Sequence, residues 1–240
     1  MGDWTPDTTT YHDLIEAEDA SADASRPYPF YLAYALESSP DALGEPSGWH
    51  AEWKWDGIRG QLIIRDGQYF VWSRGEELMT DRFPELARAV DFLPDGTVLD
   101  GELLAWGENA PLSFNALQKR IGRKTVPKKI LADTPVILAA YDLLEQDGQD
   151  MRAKPYAQRR AALEQLTHTL PPDAPLRLPP QLDFDTWADL AALRADAAEP
   201  HQIDGRFHDR AQHVLRRMVT SFKADSLSRS FRKRDRFRSA

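Results

Sequence analysis

The chain has 240 residues, 42% of them hydrophobic and 28% charged, ordinary proportions for a globular protein with a full core. Cysteine is absent, which excludes disulfides and thiolate metal sites and agrees with a reducing cytoplasm. The net charge of −8 is unevenly spread: Arg206 to Ala240 carries 11 Lys/Arg against 3 Asp/Glu, and this basic tail on an acidic body suggests contact with nucleic acid.

The opening MGDWTPDTTTYHDLIEAEDASADAS is acidic and lacks the apolar stretch of a secretory signal. No apolar run approaches the ~20 residues of a membrane helix, so no membrane partner and a cytoplasmic location are expected. Residues 1–26 lack periodicity and are expected to form a flexible lead-in, with RPYPFYLAYAL opening an ordered domain over 27–205. GWHAEWKW alternates and reads as a strand. In GQLIIRDGQYFVWSR two β-rich runs flank Asp66-Gly67, a strong signal for a two-residue hairpin. DRFPELARAVDFL reads as a short helix and GTVLDGELLAW as a strand. SFNALQKRIG reads as a helix capped by Ser113 and closed by Gly122. TPVILAAYDLL is an apolar strand, KPYAQRRAALEQL a helix opened by Pro155, and LRLPPQL a short extended piece. DFDTWADLAALRADAA closes the patterned part as a helix.

Irregular alternation of strands and helices, with hairpins, points to an α+β fold on antiparallel sheets. Neither G-x-G-x-x-G nor G-x-x-x-x-G-K-[ST] occurs, so nucleotide chemistry cannot rest on a glycine-rich phosphate loop.

The densest chemistry lies in EWKWDGIRG, residues 52–60. On an extended strand Glu52, Lys54 and Asp56 share one face, Trp53 and Trp55 take the other, and Asp56-Gly57 turns the chain beneath. The plainer reading is a half-buried strand with a charged outer face. The sharper one makes Lys54 a nucleophile, which requires it to lose a proton. At the ordinary lysine pKa only about one in a few thousand is neutral at pH 7. Burial and cations such as Arg59, Arg74 or a bound metal favour the neutral form, whereas the flanking acids oppose it unless a metal or ligand occupies them.

From about Pro29 to about Ala197 the sequence resembles the nucleotidyltransferase domain of ATP-dependent DNA ligases, the compact bacterial type in particular. EWKWDGIRG is similar to the family's E-x-K-x-D-G-x-R. WSRGEELMTDRFPEL, VLDGELLAW and AAYDLLEQDGQD follow in the family's order, with FNALQKRIG and KPYAQRRAALEQL matching its intervening helices. The resemblance implies antiparallel sheets flanked by helices around a central nucleotide cleft. It implies ATP and Mg²⁺ or Mn²⁺ as cofactors, nicked or broken DNA as partner, and a role in DNA repair and recombination. Lys54 would take AMP from ATP, with Glu52 on the adenine amino group and Tyr141 stacked on the base. Arg59 and Arg74 would serve ribose and phosphate, and Glu102 the ribose hydroxyls and a metal. In isolation, Glu102 reads as an exposed strand acid and Tyr141 as a core aromatic.

The resemblance then breaks. Where the family carries Glu-Gly, an apolar run and a lysine, this chain has IDGRFHDRAQHVLRR, with Asp204 the candidate metal ligand. Phe222-Lys223 is a remnant of the fifth motif, 206–240 reads as a poorly patterned basic tail, and no OB-fold domain or sixth motif is expected. Two alternatives to a ligase-type adenylyltransferase share these features. One is an RNA ligase or capping-type nucleotidyltransferase. The other is a degenerate ligase that binds nucleic acid or a repair partner, such as one supplying the missing clamp.

Overall fold

The structure, a computed structural model, describes residues 24–31, 39–108, 110–123 and 125–198. Its frame is a six-stranded sheet. Strands β2 (Ile58–Arg65), β3 (Gln68–Ser73), β4 (Thr97–Ala105), β5 (Val136–Gln146) and β6 (Gln149–Asp150) lie in the order β3-β2-β4-β5-β6, all antiparallel, and β7 (Leu176–Arg177) adds to β5 in parallel. A separate two-stranded ribbon pairs β1 (Ala51–Glu52) with β8 (Gln181–Leu182). Helices α1 (Phe114–Ile121), α2 (Lys128–Asp133), α3 (Tyr156–His168) and α4 (Trp187–Ala198) complete the α+β arrangement. Among the described residues no helix is long and apolar enough to cross a membrane.

The hairpin between β2 and β3 turns where Asp66-Gly67 predicts, with φ of 53° and 67°. Positive φ at both positions is the type I′ geometry whose twist matches the strands it joins. Asp147-Gly148 repeats it between β5 and β6, with φ of 51° and 72°. Ser113 caps α1, its Oγ accepting from the Ala116 N–H at 3.1 Å. The segment expected as one short helix over 81–93 instead forms 3-10 helices at Thr80–Arg82 and Pro84–Asp91. Its buried residues Phe83, Leu86 and Ala89 recur every third position, the repeat that a 3-10 turn places on one side.

Strand alternation divides the sheet into two faces. One face of β2, β4 and β5 presents Leu62, Ile64, Leu99, Leu103, Val136, Leu138 and Ala140 to the main core, where Phe83, Leu86, Leu117 and Leu163 meet them. On the opposite face, apolar clusters among the described residues lie at its two ends. At one end Ile63, Val98 and Leu144 lie under Tyr28; at the other Leu104, Ile137 and Ala139 lie under Trp55 and Trp106. Between these clusters the face carries Arg59, Asp100, Glu102 and Tyr141, with the Phe30 ring 5.7 Å from the Arg59 guanidinium.

Residues 24–31 run along this second face as a strap. Carbonyls of Ala24 and Arg26 accept from Arg65, and that of Ser25 from the Trp72 indole. Buried Gln61 exchanges both amide hydrogen bonds with the Tyr28 backbone at 2.8 Å, as a neighbouring strand would. Among the described residues, the strap's contacts include Ala24, within the segment read as a lead-in.

Candidate active site

Pairing of β1 stops at Glu52 because its partner is only two residues long, so the strand expected through Trp55 is not formed. Residues 53–57 form a connection from the ribbon to β2, and the three polar side chains are not equivalent. Lys54 and Asp56 are exposed, whereas the Glu52 side chain keeps only 8% of its surface. Trp55 packs on Leu104, Ile137 and Ala139 as a core anchor; Trp53 is half-buried and joins none of the core clusters. The turn at Gly57 lies directly on β4: a Cβ there would strike the Leu103 carbonyl and come within 2.8 Å of Glu102 Cγ. Only glycine permits this approach, which sets the Lys54 segment against Glu102.

Glu102 is the electrostatic centre of the face. Burial pushes its carboxyl up to about 7, against the pull of Lys54 and Arg59 and a hydrogen bond from the Gly57 backbone, while Asp100 adds to the rise. It is a carboxylate short of positive charge, with Lys54 the larger of its two cationic neighbours.

Arg59 faces Glu102 across the β2–β4 ladder but is engaged elsewhere. Its Nε and Nη2 donate to the two oxygens of Asp100 at 3.2 and 2.8 Å, and Nη1 donates to the Tyr31 carbonyl. Burial works against its charge, but the hydrogen bonds to Asp100 more than compensate and hold the guanidinium protonated. Arg74 is exposed just past β3, and its backbone N–H donates to the Arg59 carbonyl at 3.0 Å, which places the two arginines side by side at the rim.

Tyr141 sits at an irregularity in β5. Asp100 pairs with Asp142 and Gly101 with Ala140, leaving Tyr141 as the extra residue of a bulge. Bulges re-aim a side chain, and here the ring lies beside Arg59 at 6.0 Å, with its hydroxyl 3.4 Å from Asp100. Burial, with Asp100 behind it, keeps that hydroxyl protonated. Arg159 of α3 grips both oxygens of Asp142 at 2.8 and 3.0 Å and so pins the bulge.

Glu52 is held by the same helix. Its Oε1 accepts from the Tyr156 hydroxyl at 2.6 Å and from Arg160 Nη1 at 3.2 Å. The Tyr156 hydroxyl is also 3.3 Å from the Tyr141 carbonyl, so one group spans the ribbon and the sheet.

The structure therefore gathers Glu52, Lys54, Arg59, Arg74, Glu102 and Tyr141 around one polar stretch of sheet. Asp204 and the tail lie outside the described residues. Sequence reasoning missed Asp100, Tyr156, Arg159 and Arg160. Asp100 was detectable, since it lies two residues before Glu102 on the same strand face. The three α3 residues carry no local sign of what they bind. Among the described residues no group of three His, Asp or Glu forms a cage for a metal ion. The donor set is the single starved carboxylate of Glu102, which suits Mg²⁺ or Mn²⁺ completed by phosphate oxygens and water.

The fold is that of a nucleotidyltransferase domain of the DNA ligase type. The mycobacterial DNA ligase D, solved in complex with ATP and MES, superposes with a TM-score of 0.51 at 30% identity, over 63% of this chain and 46% of that one. A family model described as the ATP-dependent DNA ligase domain matches residues 31–199, and the chain belongs to that family. A probable DNA ligase of Opitutus terrae is 46% identical over 118 residues, 49% of this chain and 12% of the relative. One of Streptomyces griseus is 37% identical over 191 residues, 77% of this chain and 36% of the relative. The chain thus spans well under half the length of these curated relatives.

Proposed function

We propose that this chain performs the adenylylation chemistry of an ATP-dependent DNA ligase, with Lys54 as nucleophile. The observation that carries this reading is the exposed Lys54 amine held by the Gly57 turn beside half-buried Glu102, on the face that also bears Tyr141 and Arg59. The Lys54 amine, once deprotonated, attacks the α-phosphorus of ATP. A P–N bond forms, the bond from that phosphorus to the bridging oxygen of pyrophosphate breaks, and the second amine proton leaves to solvent. AMP then passes to the 5′-phosphate of a DNA nick, and the neighbouring 3′-hydroxyl displaces it as the strand is sealed.

In this scheme Tyr141 stacks on adenine and Glu52 accepts from its amino group. The Arg59–Asp100 pair keeps a fixed positive charge by the ribose and phosphates, and Arg74 supplies a second from the rim. Mg²⁺ or Mn²⁺, held by Glu102 with Asp204 as a second candidate, would supply neutralisation of phosphate charge when bound. Nicked or broken DNA is the substrate class, and the setting is the cytoplasm. A repair partner that supplies a clamp on that DNA belongs to this reading.

The test is incubation of the full chain with ATP labelled at the α-phosphate and Mg²⁺ or Mn²⁺. Label should stay on the protein through denaturation and be absent in Lys54→Ala. Label retained in that variant would move the nucleophile elsewhere.

A further inference from the structure

Glu52 stands on the least supported element of the site. The β1–β8 ribbon pairs only Ala51 with Leu182 and Glu52 with Gln181, too little to hold a side chain in place by itself. Its position is set instead by two side chains one turn apart on α3. Tyr156 and Arg160 are both 4% exposed, so α3 spends two positions of its inward stripe on polar groups. Each is itself held. The Tyr156 ring lies edge-on to His50 at 5.2 Å, with the Arg159 guanidinium 5.7 Å from its centre. Arg160 donates to the Pro179 carbonyl at 2.7 Å, just ahead of β8, and to Glu164 at 2.8 Å. Arg160 therefore ties both strands of the ribbon to α3, while α3 packs on β5, which carries Tyr141.

The two donors converge on one oxygen. Tyr156 and Arg160 both meet Oε1 of Glu52, and no donor among the described residues reaches Oε2. Paired with the Arg160 guanidinium, the Glu52 carboxylate presents its oxygens as acceptors. The result is one committed oxygen and one acceptor left for a ligand. The shared Tyr156 hydroxyl sets that acceptor relative to Tyr141, across two separate sheets.

We propose that Tyr156 and Arg160 are positioning residues for base selection: they lock Glu52 so that its second oxygen accepts from the 6-amino group of adenine. This rests on the adenylylation reading above and adds to it the residues that set nucleotide preference. Neither residue touches the nucleotide, and the reaction itself remains with Lys54.

The test uses the full chain and two labelled nucleotides, ATP and purine riboside triphosphate, which lacks only the 6-amino group. Lysine labelling is measured as kcat/KM for each. A hydrogen bond to a charged acceptor carries roughly ten- to hundredfold of preference, so the wild type should favour ATP by about that ratio, and Glu52→Ala should abolish the preference. Tyr156→Phe, which removes one oxygen, should lower the ratio by about tenfold through ATP alone. Arg160→Lys, which keeps the charge, gives the same readout should Tyr156→Phe not fold. A merely structural role lowers both nucleotides alike. An unchanged ratio in the folded variants, with Glu52→Ala altered, overturns the positioning role and leaves adenylylation standing. No label on the wild type from either nucleotide would remove the adenylylation reading and this inference with it.

Discussion

Arg59 stands directly opposite Glu102 in the β2–β4 ladder yet gives its guanidinium to Asp100 on the same face of β4. A cross-strand arginine would ordinarily neutralise its partner carboxylate. Here Asp100 takes the fork, and Glu102 is left half-buried with only partial compensation. The asymmetry produces one firmly charged arginine and one carboxylate whose charge its neighbours offset only in part.

That carboxylate makes stability depend on pH in a defined window. Burial raises its pKa from 4.5 to about 7, so between these values the folded state keeps a proton that the unfolded chain has lost. Its contribution to stability is therefore lost as pH rises from about 4.5 to about 7, with a full cost of about 3 kcal/mol above that. Glu102→Gln should stabilise the nucleotide-free protein at pH 8 by up to that amount, with the gain vanishing near pH 4.5, while adenylylation falls. Urea denaturation across pH checks it; equal midpoints at pH 8 would show that Glu102 is better solvated than its surroundings indicate.

Gly57→Ala places a methyl group against the Leu103 carbonyl and Glu102 Cγ. Backbone must move, at a cost of about 1–3 kcal/mol, and the segment that moves carries Lys54. Labelling should drop more than stability alone explains. Gly148→Ala is the control: its φ of 72° is strained, but open space surrounds it, so a loss of about 1 kcal/mol with normal labelling is expected. Parallel measurement of denaturation midpoint and labelling rate separates the two.

A second ion pair is purely architectural. Arg120 is fully buried and donates to both oxygens of Glu85 at 2.6 and 2.5 Å, as well as to the carbonyls of Arg82 and Thr134. Glu85 also accepts from the Val136 N–H at 2.9 Å, joining the 3-10 helix, α1 and the start of β5. Arg120→Met should cost about 3–5 kcal/mol because it strands a carboxylate and two carbonyls. Chemical denaturation measures this directly.

The basic tail leads to a prediction about salt. Truncation after Gly205 removes 11 basic and 3 acidic residues. If the tail carries DNA contacts, affinity for nicked duplex should fall and its salt dependence should flatten, each lost phosphate contact removing about 0.9 from the slope of log K against log salt. Titration of both chains against salt checks it; equal slopes would place the DNA contacts within residues 1–205.

Much of this was legible in the sequence because it depends on neighbours along the chain. Asp66-Gly67 dictates a type I′ turn wherever two strands flank it, Ser113 caps the helix it precedes, and Gly57 follows Asp56 because the chain must turn there. The candidates Glu52, Lys54, Glu102 and Tyr141 rest on the resemblance of their motifs to the ligase family; read alone, Glu102 is a strand acid and Tyr141 a core aromatic. Other features depend on groups far apart in the chain, and only the tertiary structure decided them. Tyr156 reaches Glu52 across 104 residues and Arg160 across 108, and nothing local in α3 announces either contact. The strand through Trp55 failed for the same reason, since β-pairing lasts only as long as a distant partner allows. Alternation placed Arg59 and Glu102 on one face. Which acid the arginine would choose was settled by the side-chain geometry that puts both Asp100 oxygens within reach of its fork.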